Sequence, residues 1–118
     1  MKTTELRIGN YVMDSPVNGD DVLDVQAIYT NLIIHEERHV YNDELRPIPL
    51  TEEWLLRFGF KHSGNGFFIH AKSLIELANI GDEYFHSGIK GVSLINVHFV
   101  HQLQNLYFAL VGEELQLN

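Results

Sequence analysis

The chain has 118 residues, and its 8 Lys and Arg against 16 Asp and Glu give a formal net charge of −8. Because phosphate backbones are bound by clustered Lys and Arg, this balance argues against a nucleic-acid-binding surface. The absence of Cys excludes disulfides, thiolate nucleophiles and Cys-ligated metal sites. No apolar run is long enough to span a membrane and the first residues lack a secretion signal, so we expect a cytoplasmic protein.

The first 48 residues predict a β structure. Three segments with alternating or β-branched apolar residues are predicted to be strands: 6–12, with a bulge or tight bend at Gly9, then 22–29 and 32–41. The residues between them are dense in turn formers, and Asn18-Gly19 is typical of a tight hairpin turn. Several short strands in such a short stretch predict a small, bent antiparallel sheet or partial barrel.

Residues 52–58 carry the start and stop signals of a helix. Thr51 is a favoured N-cap, and Glu52 and Glu53 would face the positive end of the helix dipole. Gly59 can adopt the left-handed conformation that ends a helix. The sequence therefore predicts a short helix that follows directly on the N-terminal β region.

The central part of the chain predicts further antiparallel strands. Alternation favours strands over 67–71, 84–86 and 92–95. Residues 72–80 fit both a strand and a helix, and we favour a strand because residues 79–82 resemble a hairpin turn.

A second helix is predicted at the C-terminal end of the chain. Its apolar residues recur at helical spacing and form one stripe: Phe99, Val100, Leu103, Leu106, Tyr107 and Leu110. Gly112 provides a stop, and residues 113–117 are expected to add a short strand.

The order of these segments predicts an α+β fold. A small bent antiparallel sheet or partial barrel is followed by a helix, antiparallel strands and a C-terminal helix. We expect one domain over residues 1–118, within which 1–48 can form an all-β sub-lobe and 49–118 an α-β-α sub-lobe.

One segment matches a catalytic pattern. His35-Glu36-Glu37-Arg38-His39 reads H-E-x-x-H, in which a helix brings two His to one zinc ion and the Glu acts as general base. The preceding Leu32–Ile34 is apolar and β-branched and favours a strand, on which His35 and His39 would lie ~13 Å apart. We therefore favour an exposed, charged strand or hairpin, and a zinc-dependent hydrolase that uses His35, Glu36 and His39 is the alternative.

A second metal candidate is the pair His98 and His101, which has i, i+3 spacing at the start of the second predicted helix. Seven His in 118 residues will include spaced pairs by chance, so we favour a structural role for both. No Gly-rich phosphate loop and no nucleophile elbow is present, and we expect no cofactor and no catalytic residue.

Aromatic residues offer a third kind of site. Tyr84, Phe85, Phe99, Tyr107 and Phe108 could form a stacking surface, and a single-stranded nucleic-acid binder is therefore another alternative. Core packing accounts for Phe99 and Tyr107 more simply, and the net charge opposes the alternative. Phe108 falls off the apolar stripe of its helix, so we expect it to be exposed and to contact a partner protein or a second copy.

Three blocks of the sequence resemble a known family. They are 43–60, with P-I-P-L-T-E-E-W-L-L-R-F-G-F, then 97–115, with V-H-F-V-H-Q-L-Q-N-L-Y-F-A-L-V-G-E-E-L, and the opening L-R-I-G-N-Y-V. They resemble small uncharacterised proteins of gut-associated bacteria, their phages and other mobile elements. The resemblance implies no known activity and does not include the H-E-E-R-H segment. The leading hypothesis is a non-enzymatic α+β domain that binds another protein or forms a homo-oligomer, with no nucleic acid and no membrane as partner.

Overall fold

The computed structural model describes residues 1–15, 19 and 21–118. The chain is α+β: small antiparallel sheets come first, followed by a short helix, a five-stranded antiparallel sheet and a C-terminal helix. It divides into two compact units, unit 1 from Met1 to Ile48 and unit 2 from Pro49 to Asn118.

The described part of unit 1 is made of short strands. A 3-10 turn (Thr3–Glu5) precedes two small antiparallel sheets. The first sheet pairs β1 (Tyr11–Met13) with β2 (Val22–Asp24). The second contains, in this order, β3 (Ala27–Ile28), β4 (Leu32–His35) and β5 (Arg38–Tyr41). Their apolar side chains share one core, which includes Leu6, Val12, Leu23, Val25, Ile33, Val40 and Leu45.

The strands of unit 1 are shorter than the sequence predicts. The predicted strand 6–12 becomes regular only at Tyr11, because a turn with Gly9 at φ 96° precedes it. The predicted strand 22–29 is divided into β2 and β3, and the predicted strand 32–41 is divided into β4 and β5 by a turn at Glu36 and Glu37. The expected Asn18-Gly19 turn falls on Asn18, which lies outside the described residues.

A buried carboxylate organises unit 1. Asp14 is completely buried, and its side chain forms an ion pair with Arg38 at the start of β5. Arg46 donates two hydrogen bonds to the carbonyl oxygen of Asp14, from Nε at 3.0 Å and from Nη2 at 2.6 Å. Because a buried charge is costly unless it is paired, Arg38 compensates the carboxylate of Asp14, while Arg46 binds the main chain at the same residue.

Unit 2 is a β meander between two helices. Each strand pairs antiparallel with the next one along the chain, and the elements are α1 (Glu52–Arg57), β6 (Phe60–Gly64), β7 (Phe67–His70), β8 (Ile75–Ile80), β9 (Tyr84–Ile89), β10 (Val92–Val97) and α2 (Val100–Val111). The predicted strand over 72–80 is confirmed from Ile75 onward.

α1 begins and ends at the predicted signals, whereas α2 ends at the predicted stop but begins at Val100, after His98, which was expected at its start. The hydroxyl of Thr51 accepts a hydrogen bond from the amide of Trp54 at 3.4 Å, and Gly59 follows α1 with φ 86°. Gly112 ends α2 in the left-handed conformation. The predicted strand over 113–117 is wrong: this segment has no strand, and Asn118 donates its amide to the carbonyl of Arg57 at 2.7 Å.

The five-stranded sheet has two unlike faces. One, here called the covered face, carries Phe68, Leu77 and Phe85, which are almost completely buried. The ring of Tyr107 on α2 contacts His70 on this face, with 5.2 Å between the ring centroids. The other, called the open face, carries the alternate residues of the same strands, among them Phe67, which is 46% exposed.

Candidate functional site

The open face places four side chains in one row across the sheet. Phe67 is the cross-strand partner of Ala78, Ala78 is the partner of His86, and His86 is the partner of Asn96. Partners of this kind have neighbouring side chains on the same face of the sheet. In the adjacent row Ser93 lies opposite Gly88, and it is therefore diagonal to His86.

Both ring nitrogens of His86 are hydrogen-bonded to side chains of β10. Its Nδ1 lies 2.7 Å from Oδ1 of Asn96, and its Nε2 is hydrogen-bonded to Oγ of Ser93. An amide oxygen can only accept, so Nδ1 carries the proton, and Nε2 accepts the proton of the serine hydroxyl. We call Ser93, His86 and Asn96 the His86 relay.

A tight turn sets the register of the relay. Lys90 and Gly91 join β9 to β10, and both have positive φ, of 50° and 80°. Two left-handed residues form the hairpin turn that matches the twist of the flanking strands. Ile89 and Val92 then face each other, and Ser93 is placed opposite Gly88.

A β-bulge brings the third residue into place. The register shifts between Ser93 and Asn96, so that Asn96 lies opposite His86, where regular pairing would have placed Ile95. The shift also puts Ser93 and Asn96 on the same face, although residues three apart on a regular strand face opposite sides. The hydroxyl of Ser87 fills the bulge, since it donates to the carbonyl of Ile95 at 2.6 Å and accepts from its amide at 3.0 Å.

A shallow groove of about 190 Å³ lies beside the relay. Gly88 forms part of its lining, and a Cβ at this position would lie only 3.0 Å from the backbone carbonyl oxygen of Val92. Much of the remaining lining is apolar, with Phe67, Ala78 and Val92, while Glu76 is the acidic residue of the groove. The groove is therefore open, small and mainly apolar at the serine.

Ser93 and Asn96 of the relay lie on an edge strand that carries no charge. β10 is one edge of the five-stranded sheet, and its sequence is Val-Ser-Leu-Ile-Asn-Val. Its side chains are largely exposed, with Val92 at 60% and Ile95 at 52%. The other edge, β6, contains Lys61 and is exposed over most of its length.

The H-E-E-R-H segment forms a hairpin. His35 ends β4, Glu36 and Glu37 form the turn with φ of 47° and 68°, and His39 lies in β5. His35 pairs with Arg38 while His39 pairs with Ile34, so the two imidazoles point to opposite faces of the sheet.

This geometry removes the basis of the zinc interpretation, which required a helix. His35 is instead bonded to Asp24, with 2.9 Å between Nδ1 and Oδ1. Among the described residues no group of three or more His, Asp or Glu side chains could hold a metal ion.

The pair His98 and His101 is separated by the helix boundary. α2 begins at Val100, so His98 lies outside it, and its ring contacts that of Tyr84 at 5.1 Å. His101 is 1% exposed and is stacked on Phe99 with ring centroids 6.0 Å apart. Because one ring is exposed and the other is in the core, the two do not share a metal site in this structure.

The aromatic residues do not form one stacking surface. Phe85 and Tyr107 are 5% and 3% exposed and lie in the core of unit 2. Phe108 is 39% exposed on α2, as its position off the apolar stripe indicates. Phe108 is thus an exposed aromatic residue. On the covered face the aromatic residues do not form the continuous surface that the nucleic-acid alternative requires.

Sequence reasoning missed the His86 relay. A regular strand over 92–95 places Ser93 and Asn96 on opposite faces, and only the bulge brings them together. A signal was present, because Lys90-Gly91 specifies a two-residue turn and thereby sets Ser93 near His86. The position of the bulge, however, depends on the side chain of Ser87, which belongs to the neighbouring strand.

Two further findings bear on function. No helix in the described part of the chain is both long and apolar enough to cross a membrane. No protein-family model matches the chain, and no curated protein and no solved structure matches it either.

Proposed function

We propose that this protein is an interaction domain that self-associates through β10. The observation that carries the proposal is the chemistry of this edge: four of the six residues of β10 are exposed, and none of the six has a charged side chain. Natural proteins usually protect an exposed edge strand with a charge or a proline, because its unpaired backbone groups can bind another strand. β10 has neither.

The hairpin geometry directs backbone groups toward the free edge. In a two-residue hairpin the residues that flank the turn, here Ile89 and Val92, hydrogen-bond to each other. The amide and carbonyl of the next residue, Ser93, therefore point away from β9. A strand from a partner can accept and donate hydrogen bonds at this position.

The occupant that we propose is β10 of a second copy. Two copies related by a two-fold axis pair this strand antiparallel with itself, so the same surface serves both subunits. The chain has a net charge of −8, which makes most contacts between copies repulsive, but pairing at β10 brings no charged side chain opposite another. The exposed side chains of Val92 and Ile95 lose contact with water in the pair.

The β-bulge limits the strength of this contact. A bulge interrupts the regular spacing of backbone groups and is itself one of the devices that discourage edge pairing. In β10 it lies between Ser93 and Asn96 and leaves short regular stretches on either side. We therefore expect a reversible dimer whose population rises with protein concentration.

The test is the mass of the protein in solution, measured by sedimentation equilibrium over a wide range of concentrations. Ile95→Lys places a charge in the edge, and the expected result is a monomer where the unmodified chain dimerises. Ile80→Lys is the matched control, because Ile80 is a 40% exposed side chain on an inner strand of the same sheet. This control is expected to dimerise as the unmodified chain does.

Three outcomes would contradict the proposal. One is a monomer at every concentration. Another is equal loss of the dimer in Ile95→Lys and Ile80→Lys, which would indicate a general apolar contact. The last is loss of the dimer in Phe108→Lys but not in Ile95→Lys, which would move the interface from β10 to α2.

A further inference from the structure

We infer that Ser93 is a nucleophile that accepts an acyl group from a small activated ester or thioester. His86 acts as its general base and Asn96 as a positioning residue. The inference goes beyond the proposed dimer, because its chemistry uses the side chains of the His86 relay, whereas edge pairing uses backbone groups of β10.

The hydrogen bonds of the relay meet the requirements of an activated serine. A serine hydroxyl is a weak nucleophile until a neighbouring base accepts its proton, and His86 Nε2 is bonded to Ser93 Oγ. The base must in turn be held in the correct tautomer by a third group, and Asn96 Oδ1 accepts from Nδ1 at 2.7 Å. Nucleophile, base and orienting group are thus present in the order that this chemistry needs.

The proposed reaction is an acyl transfer in two steps. Ser93 Oγ attacks the acyl carbon while its proton moves to His86 Nε2, and the leaving alcohol or thiol departs with that proton. Water then attacks the acyl-serine, gives a proton to His86, and releases the carboxylic acid as the proton returns to Ser93 Oγ. No oxidant, reductant or metal ion takes part.

The groove indicates the class of substrate. Its volume of about 190 Å³ is below the ~300–1,000 Å³ of pockets that hold drug-sized ligands, so it suits a short acyl chain. The apolar side chains of Phe67, Ala78 and Val92 fit the hydrocarbon part of such a chain. The relay provides a nucleophile and a base, and esters with a good leaving group make the least demand on further stabilisation of the transition state.

A second serine–histidine pair in unit 2 shows what a structural pair looks like. The hydroxyl of Ser73 lies 2.9 Å from Nδ1 of His70, but the amide of Ser73 also donates to that nitrogen at 3.2 Å. The ring of His70 is packed between Phe60 and Tyr107. That pair closes a turn in the core, whereas the His86 relay faces an open groove.

The experiment uses 4-nitrophenyl acetate as the probe. The full chain is incubated with the ester, the release of 4-nitrophenol is followed, and the acetylated residue is identified by peptide mass spectrometry. We expect acetyl-Ser93, its loss in Ser93→Ala, and a fall in the acylation rate of about 100-fold or more in His86→Gln. Ser63→Ala, at an exposed serine of β6, is the control and is expected to react at the unmodified rate.

The positioning role of Asn96 is tested by a measurement that would not change if Asn96 only stabilised the fold. Asn96→Ala removes the acceptor that keeps the proton of His86 on Nδ1. This variant is expected to lower the acylation rate and to alter the pH profile of that rate. Asn96→Asp restores an acceptor for Nδ1–H and is expected to restore most of the rate. Thermal unfolding of each variant shows that the fold is retained.

The inference fails if 4-nitrophenol is released at the same rate by Ser93→Ala, or if the acetyl group is found only on lysine or on the N-terminal amine. It fails equally if His86→Gln acetylates Ser93 at the unmodified rate. Any of these three results would assign the relay a purely structural role in holding β9 to β10.

Discussion

The two faces of the five-stranded sheet each hold a serine–histidine pair, and the pairs differ in almost every property. On the covered face, His70 is 9% exposed, and its Nδ1 accepts the amide of Ser73. On the open face, His86 borders a groove, and its Nδ1 donates to Asn96. The two rings therefore carry their proton on different nitrogens.

This difference shows how the surroundings separate a structural pair from a reactive one. Burial, and to a lesser degree the positive charge of Lys72, lowers the pKa of His70, which keeps the ring neutral in the core. Its Nδ1 is used to close a turn. His86 instead directs Nε2 at a hydroxyl beside open space, which is the arrangement that nucleophilic chemistry needs.

The largest expected effect tests whether side chains on the two faces contribute differently to stability. Leu77 is completely buried on the covered face, and Leu77→Ala is expected to lower the free energy of unfolding by about 2–5 kcal/mol. Phe67 is half exposed on the open face, and Phe67→Ala is expected to cost about 1 kcal/mol or less. Urea unfolding measures both, and equal costs would show that the open face is packed like the covered one.

A smaller effect is the dependence of stability on pH that His70 produces. Its pKa in the folded chain is lowered, so the unfolded chain binds a proton near pH 6.5 that the folded chain does not bind. The free energy of unfolding therefore decreases as the pH falls through and below that value. Urea unfolding at pH 7.5 and pH 5.5 should show a larger decrease for the unmodified chain than for His70→Gln. Identical decreases would contradict the assignment.

The smallest expected effect on stability belongs to His86. His86→Gln is expected to change the free energy of unfolding by no more than about 0.5 kcal/mol, because it replaces a side chain on the open face. The same variant is expected to lose the acylation of Ser93. A loss of several kcal/mol would instead make the relay a stabilising contact, and the contrast between the two faces would disappear.

Local signals in the sequence were sufficient for the helices and for most of the strands. Thr51, Gly59 and Gly112 act on their immediate neighbours, so α1 begins and ends, and α2 ends, where these residues predict. The prediction of a strand over residues 113–117 was wrong because a strand depends on a partner outside its own segment. Its apolar alternation is genuine, but within the described part of the chain the segment pairs with no strand, and pairing decides whether a strand forms.

The His86 relay was harder to predict from the sequence, because it depends on the register between β9 and β10. The motif at His35 and His39 is local: Leu32–Ile34 favours a strand or hairpin over the helix that a zinc site requires, and the segment is a hairpin. The relay is not local, because Asn96 reaches His86 only through a bulge that Ser87 of the neighbouring strand fills. A contact that depends on a neighbouring strand does not produce a periodic pattern in the sequence.

The meander of unit 2 also has a consequence for how this unit folds. Every strand from β6 to β10 pairs with its neighbour along the chain, so each hairpin closes a short loop at small entropic cost. The backbone bridge between Pro49 and Phe99, with the amide of Leu50 donating to the carbonyl of His98, instead joins the two ends of the meander. We expect the hairpins to form early and this bridge to form late, because it closes a much longer loop.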